Sequence, residues 1–145
     1  LIAKKITAKD AIIFIILQIL GAGLGVLIAH GMFELDIFQI SSKLRQGASQ
    51  GFSEIIATFG LILVIFGGLK LRADAIPALV GFYITSAYWF TASTSFANPA
   101  VTLARSLSDT FAGINPSNII MFISCQFIGM LVALILVKYI FSEKE

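Results

Sequence analysis

The sequence predicts an all-α membrane protein, and three observations carry that expectation. Of its 145 residues, 58% are hydrophobic and 12% charged, about half the charge of an ordinary soluble domain. Mean hydropathy is +0.96. The apolar residues gather into four long segments, with a shorter piece before the last. A soluble fold of this size cannot hide so much apolar surface, because small domains keep a large share of their surface wet. A soluble enzyme, a nucleic-acid binder and a disordered tail are excluded together. The net charge of +2 gives no reason to expect a polyanionic partner. The expected partner is the lipid bilayer.

A spanning helix needs roughly 20 mainly apolar residues. Ala11 to Phe33 carries no charge across 23 residues, and a first spanning helix is placed at about 10–33. Its apolar core is longer than that of a signal peptide. An outer loop fills 34–50. The second spanning helix, 51–69, is the run Ile55 to Leu69 extended by Gly51, Phe52, Ser53 and Glu54. The third, 75–92, opens with Pro77 near its first turn, where proline is tolerated. The last, 117–140, is built on Ile119 to Val137.

With the N-terminus in the cytoplasm and the helices alternating, Lys4, Lys5, Lys9, Lys70, Arg72, Lys138 and Lys144 lie inside. Lys43 and Arg45 lie outside. Seven against two obeys the positive-inside rule. This predicts a multi-pass inner-membrane protein with both termini cytoplasmic. Tyr88, Trp89 and Phe90 then fall near the outer end of the third helix, as an interfacial belt.

Residues 93–114 break the pattern, because they begin and end on the outer side. Asn98 is a preferred N-cap and Pro99 suits a first helical position, so a helix starts there. Val101, Thr102, Leu103 and Ala104 continue it, and Gly113 suits its stop. From Pro99 to about Ala112 it would be roughly 20 Å long, too short for a hydrocarbon core of about 30 Å. It reads as a re-entrant half-helix beginning near the midplane. Thr91 to Asn98 then descends without regular structure, which is tolerated only when buried in protein or lining a wet cavity. A polar path past Asn98 is the inference.

The first and last spanning helices also match each other at an offset of 108. Ile6, Ile12, Phe14, Ile15, Gln18 and Gly21 pair with Ile114, Ile120, Phe122, Ile123, Gln126 and Gly129, and Gly25 faces Ala133. The same offset of 108 puts a partner of Glu54 about 54 residues ahead of Leu1. The expectation is an N-terminally truncated chain lacking two helices and a first re-entrant piece. Halves of three helices each would be inverted in the membrane, with the pathway at their interface.

Three sets of residues carry a resemblance. They are Ser95-Phe96-Ala97-Asn98-Pro99-Ala100, Glu54-Ile55-Ile56-Ala57-Thr58-Phe59 and Gln18-Ile19-Leu20-Gly21-Ala22. Together they resemble the aquaporin family of NPA-motif channels, also called major intrinsic proteins. The resemblance covers essentially the whole chain, as helices 3 to 6 of a six-helix inverted-repeat fold plus the second re-entrant half-helix. It implies a homotetramer with one pore per subunit.

The resemblance also assigns roles. Asn98, Pro99 and Ala100 would form the pore motif, Asn98 capping its helix and offering amide donors to a passing oxygen. The positive end of the half-helix would disfavour cations. Glu54 would brace the re-entrant loop, against the alternative of a solvated interfacial acid. Gln18 and Gln126 would brace similarly or pair across helices. Gly21, Gly25 and Gly129 would let helix backbones approach. Where most members carry Arg after NPA, this chain has Val101. The other filter positions map to Ser95 and Ser86. Arg105 either reaches back toward the pore or pairs with Asp109 at i+4, the pairing being the expected one.

A wide, weakly charged filter predicts a passive channel for small neutral solutes. Polyols, water or neutral hydroxylated acids fit it, and a bacterial branch with NPAV resembling this one is associated with arsenicals. The alternative is a non-conducting truncated membrane subunit or interaction protein. An enzyme is not expected, since no GxSxG and no Ser–His spacing is present. Gly21-Ala22-Gly23-Leu24-Gly25 follows no strand and makes no dinucleotide loop. No cofactor is expected. Cys125 is read as a small buried hydrophobe, because one Cys and one His cannot build a zinc site. His30 is read as an interfacial side chain near the outer end of its helix, a pH gate being the alternative.

Overall fold

The computed structural model describes residues 6–140, so Lys4, Lys5 and Lys144 of the charge count lie outside the described residues. The described chain is all-helical, as expected. Its helices are α1 (Ala8–Met32), α2 (Ala48–Leu71), α3 (Ile76–Phe90), α4 (Pro99–Arg105) and α5 (Ile119–Ile140). Short 3-10 turns at Ala73–Ala75 and Pro116–Asn118 open α3 and α5. Three helices are long and apolar enough to cross a membrane: Ala8–Met32, Ala48–Leu71 and Pro116–Ile140. The chain divides into two compact units, one of residues up to Leu44 with Ala100–Ile119, the other of Arg45–Pro99 with Ile120 onward.

In the first unit, Thr7 caps α1. Its hydroxyl oxygen accepts from the Asp10 amide at 3.2 Å, a cap worth about 1 kcal/mol. The 25 residues of α1 span about 37 Å. Only Ala11 and His30 of this helix are buried, while Ile12, Phe14, Leu17, Leu20, Leu24 and Ile28 are exposed. A helix apolar all round suits a lipid solvent.

The half-helix differs from expectation. It ends at Arg105 after seven residues, about 10 Å, instead of near Ala112. The amides of Ser106, Leu107 and Ser108 bond three residues back, to Leu103, Ala104 and Arg105. The Ser106 hydroxyl also takes the Leu103 carbonyl at 2.7 Å. Serine side chains compete with helical bonding in this way. The Ser106 carbonyl accepts the Ser41 N–H at 2.8 Å, and the Arg105 carbonyl, already bonded by Ser108, also accepts the Ile114 N–H at 3.3 Å. Gly113 is therefore no helix stop. It sits where a Cβ would strike the Ser108 carbonyl and the Ser41 hydroxyl.

The second unit is held by close helix approaches at small residues. A Cβ on Gly129 of α5 would strike the Ile55 carbonyl of α2, and one on Gly51 would lie 3.0 Å from Cys125 Sγ. Between α2 and α3, the Tyr83 ring fills the notch left by Gly60 and donates its hydroxyl to the Ala57 carbonyl at 2.9 Å. The helix expected over 75–92 is shorter, at 15 residues. Thr91 takes an extended conformation (φ −103, ψ 139) and ends it. In contrast to Gly129, a Cβ at Gly21 or Gly25 meets nothing within 4 Å.

The glycine contrast is testable. Gly129→Ala is expected to destabilise the protein by about 1–3 kcal/mol through overpacking against backbone, read as a lower thermal midpoint in detergent. Gly21→Ala is expected to leave the midpoint unchanged or raised, and equal losses at both positions would contradict this packing.

Candidate functional site

The residues ahead of α4 form the most constrained part of the second unit. Thr94, Ser95 and Ala97 have φ values of 62, 47 and 49. Left-handed backbone at residues other than glycine costs about 1 kcal/mol or more each, so something must impose it.

Glu54 imposes it. Its side chain is 0% exposed. One carboxylate oxygen accepts the Phe96 amide at 2.9 Å, and the other accepts the Ala97 amide at 2.9 Å and the Gln126 side-chain amide at 2.7 Å. Charge-assisted bonds of this kind are about twice as strong as neutral ones, which answers the desolvation of a buried acid. The resulting geometry has a consequence. In a trans peptide the carbonyl of the preceding residue points opposite the amide N–H, and no peptide here is cis. The Ser95 and Phe96 carbonyls therefore face away from Glu54.

Neighbouring side chains complete the frame. The Ser53 hydroxyl accepts the Ala92 amide at 3.1 Å, and Gln50 donates to the Ala92 carbonyl at 2.9 Å. Arg45 is 5% exposed and donates from Nη1 to the Ser93 carbonyl at 2.8 Å. Its guanidinium carbon lies 4.9 Å from the centre of the Phe96 ring. Phe96 also meets Phe122 edge-on, with ring centres 5.1 Å apart. Sequence reasoning missed Arg45, Gln50 and Ser53. Gln50 stands four residues before Glu54 on α2, so helical spacing could have grouped them. Arg45 was counted only as an outside charge.

The other expected residues fall as follows. Asn98 is half-buried directly before Pro99, the first residue of α4, and Ala100 is buried. Val101 is half-buried and Ser95 buried. The Ser95 hydroxyl has no hydrogen-bond partner among the described residues. Ser86 is exposed and bonds within its own helix, to the Phe82 carbonyl at 2.9 Å. Gln126 braces Glu54, whereas Gln18 is exposed on α1.

Two expectations in the first unit need correction. Asp109 does not pair with Arg105. Its carboxylate accepts from the Ser42 amide at 2.8 Å and the Ser42 hydroxyl at 2.9 Å, because the early end of α4 turns the chain toward the 39–43 loop. These bonds, the amide first, hold the Asp109 carboxyl below its usual 3.8. Lys43 Nζ donates to the Phe111 carbonyl at 2.8 Å in the same strap.

His30 is not interfacial but buried, at 2% exposure. Its Nδ1 lies 2.9 Å from the Ile37 carbonyl, which can only accept, so Nδ1 carries a proton. Its Nε2 lies 3.0 Å from the Ser108 hydroxyl oxygen. His30, Phe33, Arg105, Ser108 and Phe111 line a cavity of about 460 Å³.

The chain is similar to one curated relative over nearly its whole length. The aquaglyceroporin AqpS of Rhizobium meliloti (strain 1021) is 45% identical over 139 residues, 96% of this chain. The chain belongs to the aquaporin family. It spans 60% of that relative's length. No family model and no solved structure matches it. The aquaporin match takes in nearly the whole chain, and it agrees with the expectation formed from the NPA, Glu and Gln motifs.

Removing the Glu54 carboxylate should release the whole segment. Glu54→Ala leaves two backbone amides and the Gln126 amide without their acceptor, at about 1–3 kcal/mol for each buried group. The expected result is a thermal midpoint many degrees lower and new protease cleavage within residues 91–98; wild-type resistance would contradict the bracing role.

The strap should respond to acid. The Asp109 carboxyl lies below its unfolded value, so its contribution is present above about pH 4 and is lost as pH falls through the lower folded value. The protection factor of the Ser42 amide, which corrects for the intrinsic pH dependence of exchange, should be lower at pH 3 than at pH 6. In Asp109→Asn that pH-dependent loss of protection should disappear.

Proposed function

We propose that this chain provides one wall of a passive transmembrane channel for small neutral solutes. The single observation that supports it most is the Glu54 clamp, which turns the Ser95 and Phe96 carbonyls away from Glu54 just before Asn98. Carbonyls so presented can replace the hydration of a passing hydroxylated solute, and the Asn98 amide would donate to its oxygens. Pro99 and Ala100 open α4 directly after them in the chain.

The selectivity filter on this reading includes Val101, Ser95 and Ser86, small or apolar side chains that leave room for polyols or neutral hydroxylated acids as well as water. The relative's description as an aquaglyceroporin supports solutes beyond water. Arg105 stands outside this filter in our reading, because it lines the cavity with His30. We place the protein in the inner membrane with both termini cytoplasmic, in a homotetramer with one pore per subunit. No enzymatic step and no cofactor is part of the mechanism. Solutes move down their gradient.

The test is flux in liposomes holding the full-length encoded protein. An outward osmotic step with glycerol should give rapid vesicle reswelling without ionic current. Val101→Arg should reduce glycerol flux more than water flux. Absence of any solute flux would remove the channel reading, and equal loss of both fluxes would remove Val101 from the constriction.

A further inference from the structure

A wall of carbonyl oxygens attracts cations as readily as it solvates neutral hydroxyls. The channel reading therefore needs a positive element near Ser95 and Phe96. The seven-residue α4 stacks few peptide dipoles, and Val101 brings no charge. Arg105 is the last residue of α4 and lines the His30 cavity. Lys43 is spent on the Phe111 carbonyl.

Arg45 meets the need. It is bonded to the 91–98 segment itself, through the Ser93 carbonyl at 2.8 Å, two residues before Ser95. Its guanidinium lies over the Phe96 ring at 4.9 Å, and the Phe96 amide is clamped by Glu54. A planar guanidinium can stack on a ring while donating in its own plane, which an ammonium cannot do. At 5% exposure the charge is poorly screened by salt.

We propose that Arg45 is a specificity-determining residue of the channel, a fixed cation that the Ser93 carbonyl and the Phe96 ring hold against the pore-lining segment, excluding permeant cations ahead of Asn98. The inference rests on the channel reading above. It moves the site's positive charge from the half-helix to the loop between α1 and α2.

The test uses the full-length protein in potassium-loaded liposomes, with glycerol flux and potassium leak read on the same preparation. Arg45→Gln should raise the ratio of potassium leak to glycerol flux about tenfold or more, since one unit charge beside the 91–98 segment is removed. A charge-rescue arm uses Arg45→Cys in a Cys125→Ser background. A cationic methanethiosulfonate should lower the leak again, and a neutral one should not. Glycerol flux with an unchanged leak in Arg45→Gln would overturn the proposal, as would equal responses to the two reagents. If Arg45→Gln fails to assemble, the cysteine arm decides alone. Wild-type vesicles that pass no solute would instead overturn the channel reading itself.

Discussion

The structure of the second unit depends on one buried carboxylate. Glu54 gathers two successive backbone amides and the Gln126 side chain, and everything that makes residues 91–98 unusual follows. Three left-handed residues within four positions have no local reason to exist. They persist because three charge-assisted bonds in a low-dielectric setting outweigh their strain. The direction in which the carbonyls point is likewise a property of the acid, since the peptide plane carries amide and carbonyl in opposite senses.

The helices serve that clamp. Gly129 brings α5 against Ile55, one residue after Glu54, so the Gln126 amide reaches the carboxylate. Phe122, one turn earlier on α5, is 0% exposed and packs against Phe96. Polar and apolar contacts thus converge on the same few residues. Membership of the aquaporin family and the 45% identity with an aquaglyceroporin fit a site built from backbone geometry more than from reactive side chains.

Much of this was legible in the sequence. The start of α4 at Pro99 is written in local chemistry, because a capping Asn followed by Pro admits few other conformations. Gln126 was found through its repeat relation to Gln18, and Glu54 through the cost of an acid in an apolar helix. What stayed hidden depends on distant partners. The Ser106 hydroxyl ends α4 early, but the donor that answers the Ser106 carbonyl is Ser41, 65 residues away. The burial of His30 is decided by Ile37 and Ser108. Arg45 looked like one more soluble charge until the Phe96 ring was found beneath it. Periodicity reports the face of a helix, not the loop that comes to rest on it.

The position of Gln126 carries a temporal consequence. During synthesis the ribosome releases Glu54 first, then residues 91–98, and only later α5. Until α5 has docked, the carboxylate has two of its three donors and Phe96 lacks its contact with Phe122. The left-handed stretch is thus completed by a helix that is made after it, so its geometry is fixed only once α5 has docked.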